Sequence, residues 1–205
     1  MFFNAAQLPL DASLQTLVSL VAQDIENSFN WPGDTATAKV YASSEEGVKQ
    51  PAWRFGELEI SGSGSMPQLE GFSRHLVLLE GEGLLVMHDN HDRTEVLEQG
   101  ENGAMDLAYA NEVELIEGPV RLLDIVVDSK QYSTTAFILG GDENMGSVSA
   151  ELLLVYGLEG ERMHCIIEEH EFSLGAKQCM RIDHPPSSEI QCTDGRVLVL
   201  AIQAL

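Results

Sequence analysis

The chain has 205 residues, 44% of them hydrophobic, and sets 33 acidic against 11 basic side chains for a formal charge of −22. That apolar share excludes a disordered chain, and the charge excludes nucleic-acid and anionic-membrane partners, whose phosphates it repels. No apolar run approaches the roughly 18 residues of a membrane span, and the opening MFFNAAQLPLDASLQ lacks the basic start and small-residue cleavage site of a secretory signal, so a cytoplasmic protein is expected.

Residues 11–28, DASLQTLVSLVAQDIENS, place Leu14, Leu17, Val18, Val21 and Ile25 at three- and four-residue spacing behind Asp11, which can cap. This predicts an N-terminal α-helix, assigned to residues 1–29, whose apolar stripe packs on the rest of the chain or on a second copy in a homodimer. After it the period becomes two. AKVYAS, WRFGELEIS, HLVLLEGEGLLVMH, RTEVLEQG, EVELIEG, VRLLDIVVD, TTAFIL, ELLLVYGLEG, MHCIIEE, KQCMRID and RVLVLAIQAL read as short strands separated by Gly, Asn, Asp and Pro. The fold class expected is therefore all-β with one helix.

Two stretches are alike. HLVLLEGEGLLVM (75–87) compares with ELLLVYGLEGERMHC (151–165), aligning Leu79-Glu80-Gly81 with Leu158-Glu159-Gly160, and GPVRLLDIVV from Gly118 compares with DGRVLVLAIQ from Asp194. Matches in the same order point to a duplication. Short hairpin-linked strands without a βαβ rhythm then make a double-stranded β-helix, the cupin jelly roll, the most economical architecture. The expected organisation is a bicupin: a first barrel over 30–137 and a smaller second barrel over 138–205, joined through the glycine-rich 138–149.

Chemistry-bearing motifs are sparse. The three cysteines, Cys165, Cys179 and Cys192, form no C-x-x-C pair and read as buried free thiols. His88 and His91 flank Asp89-Asn90 in what reads as a solvent-facing turn, His170 occupies the equivalent turn of the second copy, and His75, His164 and His184 stand alone. That spacing predicts no metal site. ISGSGSM is no nucleophile elbow, GEGLLV lacks the third glycine of a dinucleotide site, and neither Glu80 with Glu82 nor the Glu168, Glu169, Glu171 cluster has an acid/base partner. No cofactor and no catalytic residue is expected.

Scarce cations carry more information. Lys39, Arg54 and Arg74 fall inside strands of the first half, and Arg54 shares a face with Gly56, Leu58 and Ile60. An arginine pointing into a barrel takes an anion, which is either a protein carboxylate in an internal salt bridge or a ligand carboxylate held by the guanidinium fork. Both readings stay open on the sequence.

The segments WPGDTATAKVY (31–41), WRFGELEI (53–60), LEGFSRHLVLLEGEGL (69–84) and GPVRLLDIVV (118–127) resemble the HutD/Ves family of bicupin proteins. Trp53-Arg54 stands at the family's Trp-Arg pair, Gly71 and Arg74 at its Pro-Gly-x-x-Arg stretch with Glu70 replacing the proline, Trp31 at its first Trp, Lys39 at an Arg and Asp124 at an Asn. Pro32-Gly33 and Asp34-Thr35-Ala36 replace a Lys-Asn and a triple glycine. The likeness is good over 53–128, weaker over 31–52, and rests on strand rhythm beyond that. It implies a non-enzymatic bicupin linked to histidine utilisation that binds a small anionic metabolite, such as a formylglutamate-like carboxylate, through Trp31, Lys39, Arg54, Arg74 and Asp124. The alternatives are a cupin enzyme, isomerase or metal-dependent oxygenase, using His75 or His164, and a structural protein acting through its N-terminal segment and acidic exterior.

Overall fold

Alternating apolar residues become extended backbone throughout the computed structural model, which describes residues 18–20, 28–30, 36–45, 50–88, 93–98, 102–106, 111–141, 145–168, 170–185 and 188–205. Strands are numbered β1 to β19 in chain order. Among the described residues there is no helix, so none is long and apolar enough to cross a membrane. Two compact units divide the chain: one takes residues 22–133 with the last residue, the other residues 1–21 and 134–204.

In the first unit a six-stranded sheet runs in the order β2 (Ser28–Asn30), β3 (Ala36–Ser43), β4 (Trp53–Ile60), β11 (Val120–Asp128), β6 (Phe72–Glu80) and β9 (Asn102–Asp106). A four-stranded sheet runs β5 (Gly64–Ser65), β10 (Asn111–Leu115), β7 (Leu84–His88) and β8 (Arg93–Leu97). Leu58, Ile60, Leu76, Leu78 and Leu122 of the large sheet form one core with Leu84, Val86, Leu97 and Val113 of the small one. Strands β7 and β10 keep the strict alternation of a strand with one buried face, whereas β11 is buried on both faces, as its nearly unbroken apolar run VRLLDIVV predicts.

The second unit repeats this order. Its larger sheet runs β1 (Val18–Leu20), β17 (Cys179–Asp183), β14 (Leu152–Glu159), β19 (Arg196–Ala204) and β12 (Tyr132–Leu139), and its smaller one β13 (Met145–Val148), β18 (Ser188–Thr193), β15 (Met163–Ile167) and β16 (His170–Leu174). Strands β12, β19, β14 and β17 thus follow the sequence of connections seen in β4, β11, β6 and β9. In each unit a glutamate ends the third of these strands opposite an arginine of the second, Glu80 opposite Arg121 and Glu159 opposite Arg196, beside a β-bulge and before a glycine at positive φ, Gly81 or Gly160.

Two sequence expectations change. The helix over 11–28 fails at its described residues: Val18–Leu20 pairs antiparallel with β17, and Ser28 opens β2. Val18 and Leu20 satisfy a two-residue period as well as a helical one, and an unpaired sheet edge together with a β-branched valine decides for the strand. The rest of that segment lies outside the described residues. TTAFIL, read as the end of the first barrel, lies in β12 and is bonded to β19 in the second unit's sheet.

A second β-bulge positions β4. Val40 pairs with Gly56 and Ala42 with Phe55, leaving Tyr41 as the extra residue and pressing the β3 backbone onto Gly56. A methyl at position 56 would land on the Lys39 carbonyl oxygen. The missing side chain makes room for a neighbouring backbone, not for space beside Arg54. Gly56→Ala is expected to cost about 2 kcal/mol or more in chemical denaturation. Gly64→Ala, where no atom stands within 4 Å of the added methyl, should be close to neutral; equal effects at the two positions would remove the close-approach account.

Candidate functional site

Arg54 on β4 and Arg74 on β6 both stand opposite Val126 of the strand between them, and Asp124 lies two residues along the same strand. Residues two apart share a face, so all three project with Leu58, Leu76, Leu122 and Val126 into the first core. Arg74 Nε lies 2.8 Å from Asp124 Oδ1, and Arg54 Nη2 lies 3.7 Å from Asp124 Oδ2. Arg74 is 1% exposed and Asp124 4%, while the Arg54 side chain keeps 13%. Burial pulls the Arg74 pKa down, Asp124 holds it up, and Arg54 pushes it down again. A guanidinium stays charged under such pressure, so the carboxylate is what makes its burial tolerable.

The polar region continues into the small sheet. Arg74 Nη1 lies 3.7 Å from Met66 Sδ, the Met66 N–H donates to the Asn111 carbonyl at 2.8 Å, and Asn111 Oδ1 is 2.9 Å from His88 Nδ1. Asn111 and His88 are directly paired and point inward with Val113, Val86 and Leu84. Arg74, His88, Asn111 and Asp124 are the buried polar and charged residues among those described, and all belong to this one string. His88 therefore corrects its expected place in a solvent-facing turn: it closes β7 on the inward parity of Leu84 and Val86. The second unit's interior is filled instead by apolar side chains and two thiols. Asp124 pairs with Leu76, three residues beyond the Arg121 that faces Glu80; three residues beyond the Arg196 that faces Glu159, Val199 pairs with Val155 and stands where the first unit has Asp124.

The structure does not bring every expected residue to this place. Lys39 pairs with Glu57 on the opposite face of the sheet, its Nζ 5.2 Å from the centroid of the Tyr41 ring, which itself packs 6.2 Å from that of Phe55. Strand parity is the cause, since Ala36 and Ala38 take the inward face on either side of position 37. Trp31 and His91 lie outside the described residues. His75 and His164, the histidines of the enzymatic alternative, project from faces opposite those of Arg74 and Cys165; His164 Nδ1 is 3.1 Å from Ser173 Oγ. His170 stands in β16, where a turn was expected, because it pairs with Ile167. Among the described residues no group of three or more His, Cys, Asp or Glu side chains is placed to hold a metal ion. Asn111 and Met66 went unrecognised in the sequence; the signal available was the alternation of Asn111 with Val113 and Leu115.

Solved structures of similar shape include HutD from Pseudomonas fluorescens SBW25 (formate condition), 17% identical with a TM-score of 0.74, covering 92% of this chain and 99% of that one. The conserved protein of unknown function PA5104 from Pseudomonas aeruginosa PAO1 is 14% identical with a TM-score of 0.77, covering 91% and 98%. A cupin 2 conserved barrel domain protein from Leptotrichia buccalis is 10% identical with a TM-score of 0.50, covering 83% and 89%. No curated protein matches in sequence. These likenesses define the class, an all-β protein of cupin-like fold. The HutD family model matches residues 24–200, and the chain belongs to the HutD family.

Asp124→Ala leaves two inward guanidiniums without the carboxylate between them and is expected to cost about 3–5 kcal/mol in urea denaturation. Arg121→Ala removes a part-exposed cation from Glu57 and Glu80 and should cost below about 1 kcal/mol; a similar loss at both sites would deny Asp124 its special role. His75 supplies a pH test. Burial holds its pKa below the ordinary 6.5, so the unfolded chain binds the proton more readily. Stability is then full above 6.5 and falls as pH drops from there through the lower folded value. His75→Leu should flatten that fall in melting temperatures recorded between about pH 7 and pH 5, and an unchanged slope would assign it to other groups.

Proposed function

We propose that this protein is a non-enzymatic bicupin whose first barrel binds a small carboxylate metabolite. The observation that carries the reading is the convergence of Arg54 and Arg74, from strands on either side of β11, upon the single carboxylate of Asp124 inside a core. Arg74 is the fixed member, held at 2.8 Å and fully buried. Arg54 is the adjustable one, more exposed and at 3.7 Å, so its planar fork can turn to take a ligand carboxylate in a bidentate grip. The polar pair Asn111 and His88, continuous with Arg74 through Met66, offers hydrogen bonds to the far end of such a molecule. An N-acyl amino acid or a short dicarboxylate of the formylglutamate kind meets both requirements.

Two further parts of the reading are proposals. The matching strand order of the two units, with their paired Glu-Gly and Arg positions, supports a duplicated cupin with one binding interior and one purely structural interior. Membership of the HutD family supports a role in histidine utilisation, in which the protein would sense or buffer an intermediate.

The test is a thermal-shift series with formylglutamate, glutarate and formate. A ligand that binds only the folded form at about 100 times its Kd adds about 2.7 kcal/mol to stability. At least one of the carboxylates should raise the melting temperature, Arg54→Gln should abolish the rise, and Arg121→Gln, on the opposite face, should leave it. If no carboxylate shifts the transition, or if Arg54→Gln responds like the unaltered protein, the binding reading is lost.

A further inference from the structure

In the second unit Cys165 on β15 and Cys192 on β18 stand directly opposite each other in antiparallel register. Both side chains enter the same apolar core, at 0% and 1% exposure. Opposed residues of an antiparallel pair that share a face hold their Cβ atoms about 4.5–5.5 Å apart. Their Cα spacing, about 4.5–5.5 Å, lies within the range a disulfide spans. The Cys192 thiol lies 3.8 Å from the Thr193 carbonyl oxygen and 3.9 Å from that of Gly195, to which it donates. Cys179 has no share in this arrangement: it pairs with Tyr156 on β14, and its neighbours Met180 and Ile182 take the alternating places in and around that core.

We propose that Cys165 and Cys192 are a redox pair that closes into a cross-strand disulfide, with hydrogen peroxide as the oxidant. Burial pushes both thiols up, and the neighbouring Cys165 eases Cys192 back while Asp194 opposes it. The Cys192 thiolate therefore forms first. It attacks one peroxide oxygen, the O–O bond breaks, and the departing hydroxide takes up the thiol proton as water, leaving a sulfenic acid on Cys192. The Cys165 sulfur then attacks the Cys192 sulfur, the S–O bond breaks, and the hydroxyl leaves as a second water with the Cys165 proton. Two thiols and one peroxide become one disulfide and two waters, the two electrons passing from sulfur to oxygen. Since the pair lies in the core, the first step waits on local opening and is slow. A dithiol reverses the bond by exchange. Once closed, it pins β15 to β18 and locks the small sheet of this unit.

The experiment treats the folded full-length chain with hydrogen peroxide, alkylates remaining thiols in denaturant without reductant, and maps the digest by mass spectrometry. A loss of two hydrogens, a Cys165–Cys192 linked peptide, an alkylated Cys179 and reversal by a dithiol are expected. The oxidised form should melt about 5 °C higher, and Cys179→Ala should still form the link. Met145, 50% exposed, reports the oxidant dose through its sulfoxide. If Met145 is oxidised while Cys165 and Cys192 both remain alkylatable, if the link involves Cys179, or if it forms only after denaturation, the proposal is overturned. Mapping the unaltered chain needs no variant to fold, and its outcome is independent of ligand binding in the first unit.

Discussion

A charge pair inside a hydrophobic core constrains the first unit more than any other contact. Burying a guanidinium and a carboxylate costs several kcal/mol per ion, and only fixed geometry recovers it. Here the geometry comes from register: β4, β11 and β6 are bonded side by side, so residues 54, 74 and 124 arrive on one face within a few ångströms. A slip of β6 by one residue would turn Arg74 outward and bring His75 in, leaving Asp124 without its buried guanidinium. The pair thus selects one register out of those that apolar alternation alone would accept.

The same pair sits oddly with the charge of the whole chain. A net −22 repels any approaching anion at long range, so recognition of a carboxylate in this protein has to be a short-range event. Buried guanidiniums satisfy that condition, because salt screens exposed charges within about 10 Å and buried ones far less. Lys39 does not help, since its place beside the Tyr41 ring on the other face leaves its charge outside the interior. Selectivity on the proposed reading then depends on shape and hydrogen bonding near Asn111 and His88 more than on attraction.

Much of this was legible in the amino-acid order, and the failures have physical causes. Each apolar run assigned as a strand overlaps one, HLVLLEGEGLLVMH covering both β6 and β7, because a two-residue period with β-branched residues has few other uses. Strands β2, β5, β9, β13, β16 and β18 went unnoticed: segments such as Asn102–Asp106 carry too few apolar residues to show alternation and are held by their neighbours' backbone groups. Arg54, Arg74 and Asp124 could be grouped because strand parity and a family motif pointed to the same positions. His88 was misplaced because polar neighbours at 89–92 outweighed its parity with Leu84 and Val86. Lys39 was misjudged for the opposite reason, a family position having been given more weight than the parity of Ala36 and Ala38. The family model extends to residue 200, so the C-terminal half carries a family signal that strand rhythm alone had not revealed.

On the proposed duplication, the contrast between the two interiors acquires a mechanical sense. The frame is kept in both units: the strand order, the bulge beside Glu80 and beside Glu159, the arginine opposite each, and the glycine that follows at positive φ. These features set chain direction and register and tolerate little change. Interior side chains are less constrained, provided that volume is filled and polar groups are partnered. One interior then accommodates a polar string reaching from Asp124 to His88, while the other has Val199 at the aspartate position and fills its core with leucine, valine, methionine and two opposed thiols. Among its described residues the second unit buries no charged side chain, so that interior bears no such desolvation cost and its two opposed thiols have apolar neighbours.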